Sequence, residues 1–460
     1  MNKLWRIVPV VLLSACSGVC EKEPPPTLAD LRPVDLPETR KPLPDVSLDE
    51  LTHIYKDVLQ HQQEPQAQLQ VTHRLADIEM LGAEAHLDQP EKASAHFDDA
   101  IATYEQLLTN NPDYAQRDRI LYQLSKAYAM SGRADESQAA LNRLSAVAPG
   151  SPYLPEAYFR LAERQFVLTN YAAAEQLYAS VIGYGAGTTY YTRALYMQGW
   201  SRFKQDRYYD SIAAFTYSLD QFLQLDPPLE TLSRGDQELV QDSLRVLAIV
   251  FSKLEGVETI DLAYFELGAR PYEHRLYEAL GSLYLNQERY ADSAGAYQAY
   301  IERQPASSRA HHFQLRVIEA FEQGGFEERI VAAKRSYVEA FSVTGGYYQD
   351  SDGPSRSAMD EHLQRYISEL AGHYHALAQS DGEVEAQVRE GNYSAAAHYY
   401  KLYLDSFPED PQVPKLAFLL AESQYEAGDY LAAIDTYDWV AYSHGDPANA
   451  ADAAYTAILA

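Results

Sequence analysis

Beyond residue 47 the apolar positions of this chain fall three and four apart, the spacing of helices with one buried face, and no stretch alternates convincingly like a half-exposed strand. Ser47-Leu48-Asp49-Glu50 has the form of a capping box and predicts a first helix running toward Gln60. The segments between periodic runs are short and marked by Gly, Asn, Asp or Pro. Aligning them exposes recurring turns at Gly132-Arg133-Ala134, Thr169-Asn170-Tyr171, Asp206-Arg207-Tyr208, Glu288-Arg289-Tyr290, Gly391-Asn392-Tyr393 and Gly428-Asp429-Tyr430. Ala134 to Tyr171, Tyr171 to Tyr208 and Tyr393 to Tyr430 are each 37 residues, and a fixed period of this size predicts an all-α solenoid of helix-turn-helix units with no sheet.

Inside the units a small residue recurs on each helix of the hairpin, twelve residues apart: Ala162 and Ala174, Gly199 and Ser211, Gly281 and Ser293, Ala421 and Ala433. Four residues after the second comes an aromatic, Tyr178, Phe215, Tyr297 or Tyr437, one turn along the same face and placed to fill the space between units. The clearest copy is Tyr277, Leu280, Gly281, Tyr284, Tyr290, Ser293, Tyr297 and Pro305, and closing prolines recur at Pro112, Pro149 and Pro408. This pattern resembles the tetratricopeptide repeat over roughly residues 66 to 460. Within that superfamily the stretch Tyr393, Ala396, Tyr400, Tyr403, Leu404, Phe407 and Pro408 is similar to outer-membrane lipoproteins of the BamD type and to the periplasmic repeat proteins associated with Tol-Pal. The resemblance implies a protein that holds other envelope proteins rather than one that performs chemistry.

The pattern departs from the family in three places. Arg329 stands where a small residue is expected, Ser380 to Glu390 reads as an insertion between two helices, and Asp236 to Gly268 is helical but off-register. The expected organisation is a signal peptide at 1–15, a lipidated cysteine and tether at 16–47, an N-terminal array at 48–225, a divergent hairpin at 226–269 and a C-terminal array at 270–460. The last helix, Ala448 to Ala460, is apolar and lacks a Gly cap, so the expectation is that the chain continues or that a partner covers this end.

The first residues read as an address. Lys3 and Arg6 precede an apolar run from Ile7 to Leu13, too short to span a bilayer, followed by Ser14 and Ala15. Leu13-Ser14-Ala15-Cys16 resembles the lipobox of bacterial lipoproteins, which implies cleavage before Cys16 and acylation, of the palmitate class, at its thiol and new amine. At about 0.8 kcal/mol per buried CH₂, three acyl chains make a stable anchor where one is marginal. Ser17, not Asp, follows the cysteine, and by the sorting rule of such lipoproteins this implies the periplasmic face of the outer membrane. Cys20 is then an unpaired cysteine with no assigned role. Glu21 to Asp45 carries seven prolines, an extended tether that at about 3.1 Å per residue reaches on the order of 90 Å from the anchor to Ser47.

Charge and composition narrow the function. The formal charge is −29, or −31 once the two cations Lys3 and Arg6 are removed, which argues against nucleic acid and against adsorption to anionic lipid. With cysteine only at 16 and 20, the folded part has no disulfide and no thiolate metal site. His311-His312 and His373-Tyr374-His375 are spaced so that neighbours point to different helix faces, unlike the i,i+4 pairs that bind metal. Asp350-Ser351-Asp352-Gly353 lacks the later ligands of a calcium loop, and Gly183-Tyr184-Gly185-Ala186-Gly187 follows a helix and lacks the Lys of a phosphate loop. No nucleophile elbow or metalloprotease pair is present, and the reading is a protein without catalytic residues or cofactor.

The 37 tyrosines, against three tryptophans, fall mostly at repeat core positions. Tyr190, Tyr191, Tyr209, Tyr347 and Tyr348 lie in or beside connections, where they either face a partner or form a half-buried rim. Acidic and aromatic positions of first helices, Tyr158, Glu163, Trp200 and Tyr284, are the candidate partner-binding residues. The expected partners are envelope proteins or peptides, and the membrane through the N-terminal anchor, with no small-molecule substrate. Three roles fit: an adaptor in outer-membrane protein assembly, a structural part of an ion-motor-driven trans-envelope machine, and a repeat platform for a catalytic domain beyond residue 460.

Overall fold

The computed structural model describes residues 46–380, 385–443 and 447–459. The signal peptide, Cys16, Cys20 and nearly all of the tether lie outside the described residues. The chain forms two compact units, the first ending at Ala100 and the second beginning at Ile101. Among the described residues every regular element is helical, without a strand, and no helix is long and apolar enough to cross a membrane.

The first unit holds α1 (Leu48–His61), α2 (Pro65–Ala85) and the first half of α3 (Pro90–Asn110). α1 begins where the capping box places it, with Ser47 Oγ accepting from the Glu50 N–H at 3.2 Å. Its core joins Leu75, Ile78, Met80, Ala83 and Phe97. Glu79 is also buried, at 1% exposure, a position a carboxylate tolerates only when paired. Lys56 Nζ lies 3.0 Å from one of its oxygens and His96 Nδ1 2.7 Å from the other.

In the second unit the rest of α3 is followed by hairpins: α4 (Arg117–Met130) with α5 (Ala134–Val147), α6 (Leu154–Val167) with α7 (Tyr171–Ile182), and α8 (Tyr191–Lys204) with α9 (Tyr208–Leu223). After α10 (Arg234–Lys253) and α11 (Val257–Leu267) come α12 (Glu273–Asn286) with α13 (Tyr290–Arg303) and α14 (Ala310–Gly324) with α15 (Glu327–Phe341). A short α16 (Gly346–Asp350) leads to α17 (Gly353–Ala378) with α18 (Ala386–Ser406), α19 (Val413–Glu426) with α20 (Tyr430–Ser443), and α21 (Pro447–Leu459). α10 packs against both α9 and α12, and a single apolar core runs from Ile212 to Leu420 through the off-register segment.

Six of the hairpin turns share one closure. A residue in the left-handed region, Gly132, Thr169, Asp206, Glu288, Gly325 or Gly428, has φ between 58° and 81°. The next N–H then donates to the carbonyl five residues back: Arg133 to Tyr128 at 2.8 Å, Asn170 to Gln165 at 2.9 Å, Arg207 to Arg202 at 3.0 Å, Arg289 to Tyr284 at 2.9 Å, Phe326 to Phe321 at 3.1 Å and Asp429 to Gln424 at 2.9 Å. This is a Schellman closure, which satisfies carbonyls that the helix end leaves open. Five of the six turns aligned in the sequence are of this kind.

The sixth is not a turn. Gly391-Asn392-Tyr393 lies inside α18, which begins at Ala386, and Gly391 does not adopt a positive φ. The expected insertion therefore contributes its last residues to a helix. Tyr393, Ala396, Tyr400 and Tyr403 form one buried stripe, and their burial outweighs the roughly 1 kcal/mol that a mid-helix glycine costs.

The small-residue pairs lie at the helix crossings. Ala162, Ala174, Ser211, Ser293, Ala421 and Ala433 are fully buried, with Tyr178, Phe215, Tyr297 and Tyr437 against them. At Gly281 a Cβ would stand 2.5 Å from the Tyr297 ring, and at Gly199 2.9 Å from Phe215. Ser293 Oγ donates to the Gly281 carbonyl at 2.8 Å, tying the two helices together. Ser137 Oγ does the same to the Ser125 carbonyl at 2.7 Å, a further copy in which Leu141 replaces the aromatic. In the α14–α15 hairpin the exposed Arg329 lies over Phe321 and Phe326, and the close approach moves to Ala333, whose carbonyl accepts from Gln314 Nε2 at 3.0 Å.

Candidate partner-binding site

Tyrosine hydroxyls in this chain repeatedly donate to carboxylates. Tyr122 reaches Glu156 at 2.7 Å, Tyr196 reaches Asp242 at 2.5 Å, Tyr272 reaches Asp220 at 2.5 Å, Tyr277 reaches Asp261 at 2.6 Å, and Tyr178 donates to Glu163. With 66 acidic residues and only 37 Lys and Arg, many carboxylates cannot find a cation, and a phenol supplies a neutral donor on an apolar body. Burial pushes the Tyr196 hydroxyl up to about 12, and its bond to Asp242 adds to the shift. Burial alone would raise Glu156, yet hydrogen bonds from Tyr122, Arg160 and Tyr190 hold it below the usual carboxylate range.

These pairs bring surface features together. First helices α6 and α8 meet α10 around a groove of about 740 Å³. Its floor is half-buried and apolar, formed by Tyr196 and Met197 of α8, Phe222 of α9 and Leu239 of α10. Four carboxylates stand along its wall, Glu163 of α6 and Asp236, Glu238 and Asp242 of α10, with Arg193 of α8 the cation among the lining residues. Asp242 also pairs with Arg245, and Glu238 with the exposed Arg234. Glu163 accepts from Tyr178 and Asp236 from Ser233, and among the described residues neither has a cation within ion-pair distance.

The structure places the four sequence candidates in separate surroundings. Glu163 lines this groove. Tyr158, five residues earlier on α6, is half-buried with its ring 6.5 Å from Tyr184. Trp200 packs edge-on to Phe203 and Phe215, with Lys204 over its face. Tyr284 is buried, covered by the Arg289 guanidinium at 4.1 Å, at the edge of a second groove of about 740 Å³ whose wall carries Glu255, Glu258 and Glu302.

Two of the connection tyrosines turn inward. Tyr348 is buried and donates to Asp360 at 2.8 Å, and Tyr347 donates to the Ser307 carbonyl at 2.9 Å while packing on Phe341. Both are half-buried or buried anchors of α16 rather than free contacts. Tyr209 remains exposed and reaches Glu266 at 2.9 Å. Asp352 caps α17, its Oδ1 accepting from the Ser355 N–H at 2.8 Å. Buried His311 is pushed down to about 4 by burial and by neighbouring His312 and His362, and such an imidazole stays neutral near neutral pH. Among the described residues no group of three or more His, Cys, Asp or Glu is arranged to hold a metal ion.

Family models described as tetratricopeptide repeat match residues 92–154, 270–325 and 382–438. The chain is an all-α solenoid carrying tetratricopeptide repeats. No curated protein matches it. Similar solved structures include Naa15/Naa10 bound to HypK-THB, at 14% identity and a TM-score of 0.31, where the match covers 88% of this chain and 65% of that one. Another is a tetratricopeptide repeat protein from Parabacteroides merdae ATCC 43184, at 12% identity, 64% and 98% coverage, and a TM-score of 0.30. A third is the C-terminal part of a TPR repeat-containing protein from Cytophaga hutchinsonii, at 14% identity, 64% and 98% coverage, and a TM-score of 0.25. Tetratricopeptide repeats are in general protein-interaction scaffolds without chemistry of their own.

Proposed function

We propose that this protein is a lipid-anchored scaffold on the periplasmic face of the outer membrane, where its repeat surface holds other envelope proteins or peptides during outer-membrane protein assembly. The observation that carries the reading is the stack of helical hairpins with open, carboxylate-lined grooves, one of them where first helices α6 and α8 meet α10, a surface suited to gripping an extended or helical segment. The Leu13-Ser14-Ala15-Cys16 box supports the anchor and Ser17 the outer membrane. The similarity of the Tyr393 to Pro408 stretch to BamD-type lipoproteins supports a place in envelope assembly. The tether lets the folded part work well away from its anchor.

Crosslinking in intact cells followed by mass spectrometry tests the scaffold, with a small reproducible set of envelope proteins expected. Recovery of abundant proteins alone, in no consistent set, would contradict it. Cys16→Ser is expected to abolish membrane fractionation, and unchanged fractionation would remove the anchor from the account.

A further inference from the structure

The groove between α6, α8 and α10 joins half-buried apolar residues to a set of carboxylates. Tyr196, Met197, Phe222 and Leu239 are each only half-buried, so water-exposed apolar area is concentrated there. Among the described residues, Glu163 and Asp236 have no cation within ion-pair distance, Asp242 pairs with Arg245, and Glu238 shares its charge with Arg234, which is 93% exposed. The hydrogen-bond donors to Glu163 and Asp236, the Tyr178 and Ser233 hydroxyls, are neutral groups. Three further features shape the occupant. The groove's volume, about 740 Å³, falls in the range that encloses a compact ligand or a few residues of a peptide. Arg193, whose guanidinium lies 5.7 Å from the Phe159 ring, is the lining cation that would discriminate against a purely cationic strand. Gly235, in the first turn of α10, faces open space: nothing lies within 4 Å of where its Cβ would stand, so this wall of the groove is unfilled.

We infer that this groove takes a short peptide segment of a partner protein in which Lys or Arg side chains alternate with bulky apolar ones, the apolar groups on the Tyr196–Phe222 floor and the cations against Glu163, Asp236 and Glu238. The inference rests on the scaffold reading above and specifies the chemistry of one partner site. Charge complementarity decides the occupant: of the four lining carboxylates only Asp242 and Glu238 have arginine partners, so the excess negative charge repels an acidic segment, and a wholly apolar one would desolvate Glu163 and Asp236 without bringing them a cation.

The test uses the full chain and two fluorescein-labelled decapeptides, one alternating lysine with phenylalanine and leucine, the other with glutamate in place of every lysine. Anisotropy is expected to show binding of the lysine peptide, weakening with added salt, and none of the glutamate peptide. Gly235→Trp fills the groove without changing any charge, and is expected to weaken the lysine peptide about tenfold or more while leaving helicity and melting unchanged. Glu238→Lys is expected to weaken it as well. Binding that Gly235→Trp does not move would mean that bulk acidity alone attracts the peptide, and would overturn the inference. So would equal binding of the glutamate peptide, or no binding of the lysine peptide. The scaffold reading fails separately: if Gly235→Trp cells still yield the wild-type set of crosslinked partners, the groove is wrong and the scaffold stands, whereas no consistent set of partners from wild-type cells would remove the scaffold itself.

Discussion

Thr169, Asp206 and Glu288 hold the left-handed conformation that glycine holds in the sister turns at 132, 325 and 428. A side chain in this region costs about 1–2 kcal/mol, most for a β-branched residue. Asp206 recovers part of that cost, because its carboxylate accepts from the Tyr208 hydroxyl at 2.6 Å. Thr169→Gly is therefore expected to raise stability by about 1 kcal/mol, Glu288→Gly by somewhat less and Asp206→Gly least, since the added glycine also frees the unfolded chain. The ordering is read from urea midpoints, and a destabilising Thr169→Gly would show that the turn depends on the threonine side chain. These turns were legible in the sequence because a Schellman closure is local, set by a few consecutive residues. The tyrosine–carboxylate bonds were not: Tyr196 and Asp242 are 46 residues apart, and nothing in either neighbourhood announces the other.

At the scale of the helix pair, the recurring small residue marks where two backbones approach and an aromatic from the second helix closes over the first. Gly281 is the tightest case among the hairpins with a glycine at this position, and Tyr297 has little room to withdraw because it packs edge-on to Phe313 at 5.8 Å. Gly281→Ala gains about 1 kcal/mol of helix propensity but, with the added Cβ 2.5 Å from the ring, suffers overpacking at the upper end of the usual range, about 2–3 kcal/mol, for an expected net loss of about 1–2 kcal/mol. Gly199→Ala, where the ring is 2.9 Å away, is expected to lose less. Chemical denaturation of the two variants checks the sign, and a Gly281→Ala protein as stable as wild type would show that the ring shifts freely. The twelve-residue spacing made these pairs readable, and its failures are equally physical. Gly391-Asn392-Tyr393 carries the same residues as a true turn, but the buried stripe from Tyr393 to Tyr403 continues the helix through it. Arg329 looked like a broken motif, and the structure shows the close contact displaced to Ala333 and Gln314.

Across the whole chain, the helical class and repeat period were legible because each unit repeats one local solution, with nearest-neighbour packing carrying the stability. The site was legible only in part. Glu163 was singled out as a first-helix carboxylate, whereas Phe222, Leu239 and Asp242 reach the same groove from α9 and α10, through a segment whose register departs from the repeat. The large negative charge, which in the sequence argues against nucleic acid, becomes local in the structure where, among the described residues, carboxylates without a cation partner border half-buried apolar residues. Function in this account is recognition, and the partner's chemistry is set by that border.

The most direct test places a photo-crosslinking benzoyl-phenylalanine at Glu238, on the exposed rim of the groove, and for comparison at Gly150, in the exposed turn between α5 and α6 with nothing within 4 Å of its Cβ position. Irradiation of intact cells is expected to yield one or a few discrete protein adducts from position 238 that position 150 does not give. No adduct from position 238, or the same adducts from both positions, would contradict the claim that this solenoid works by holding a partner there.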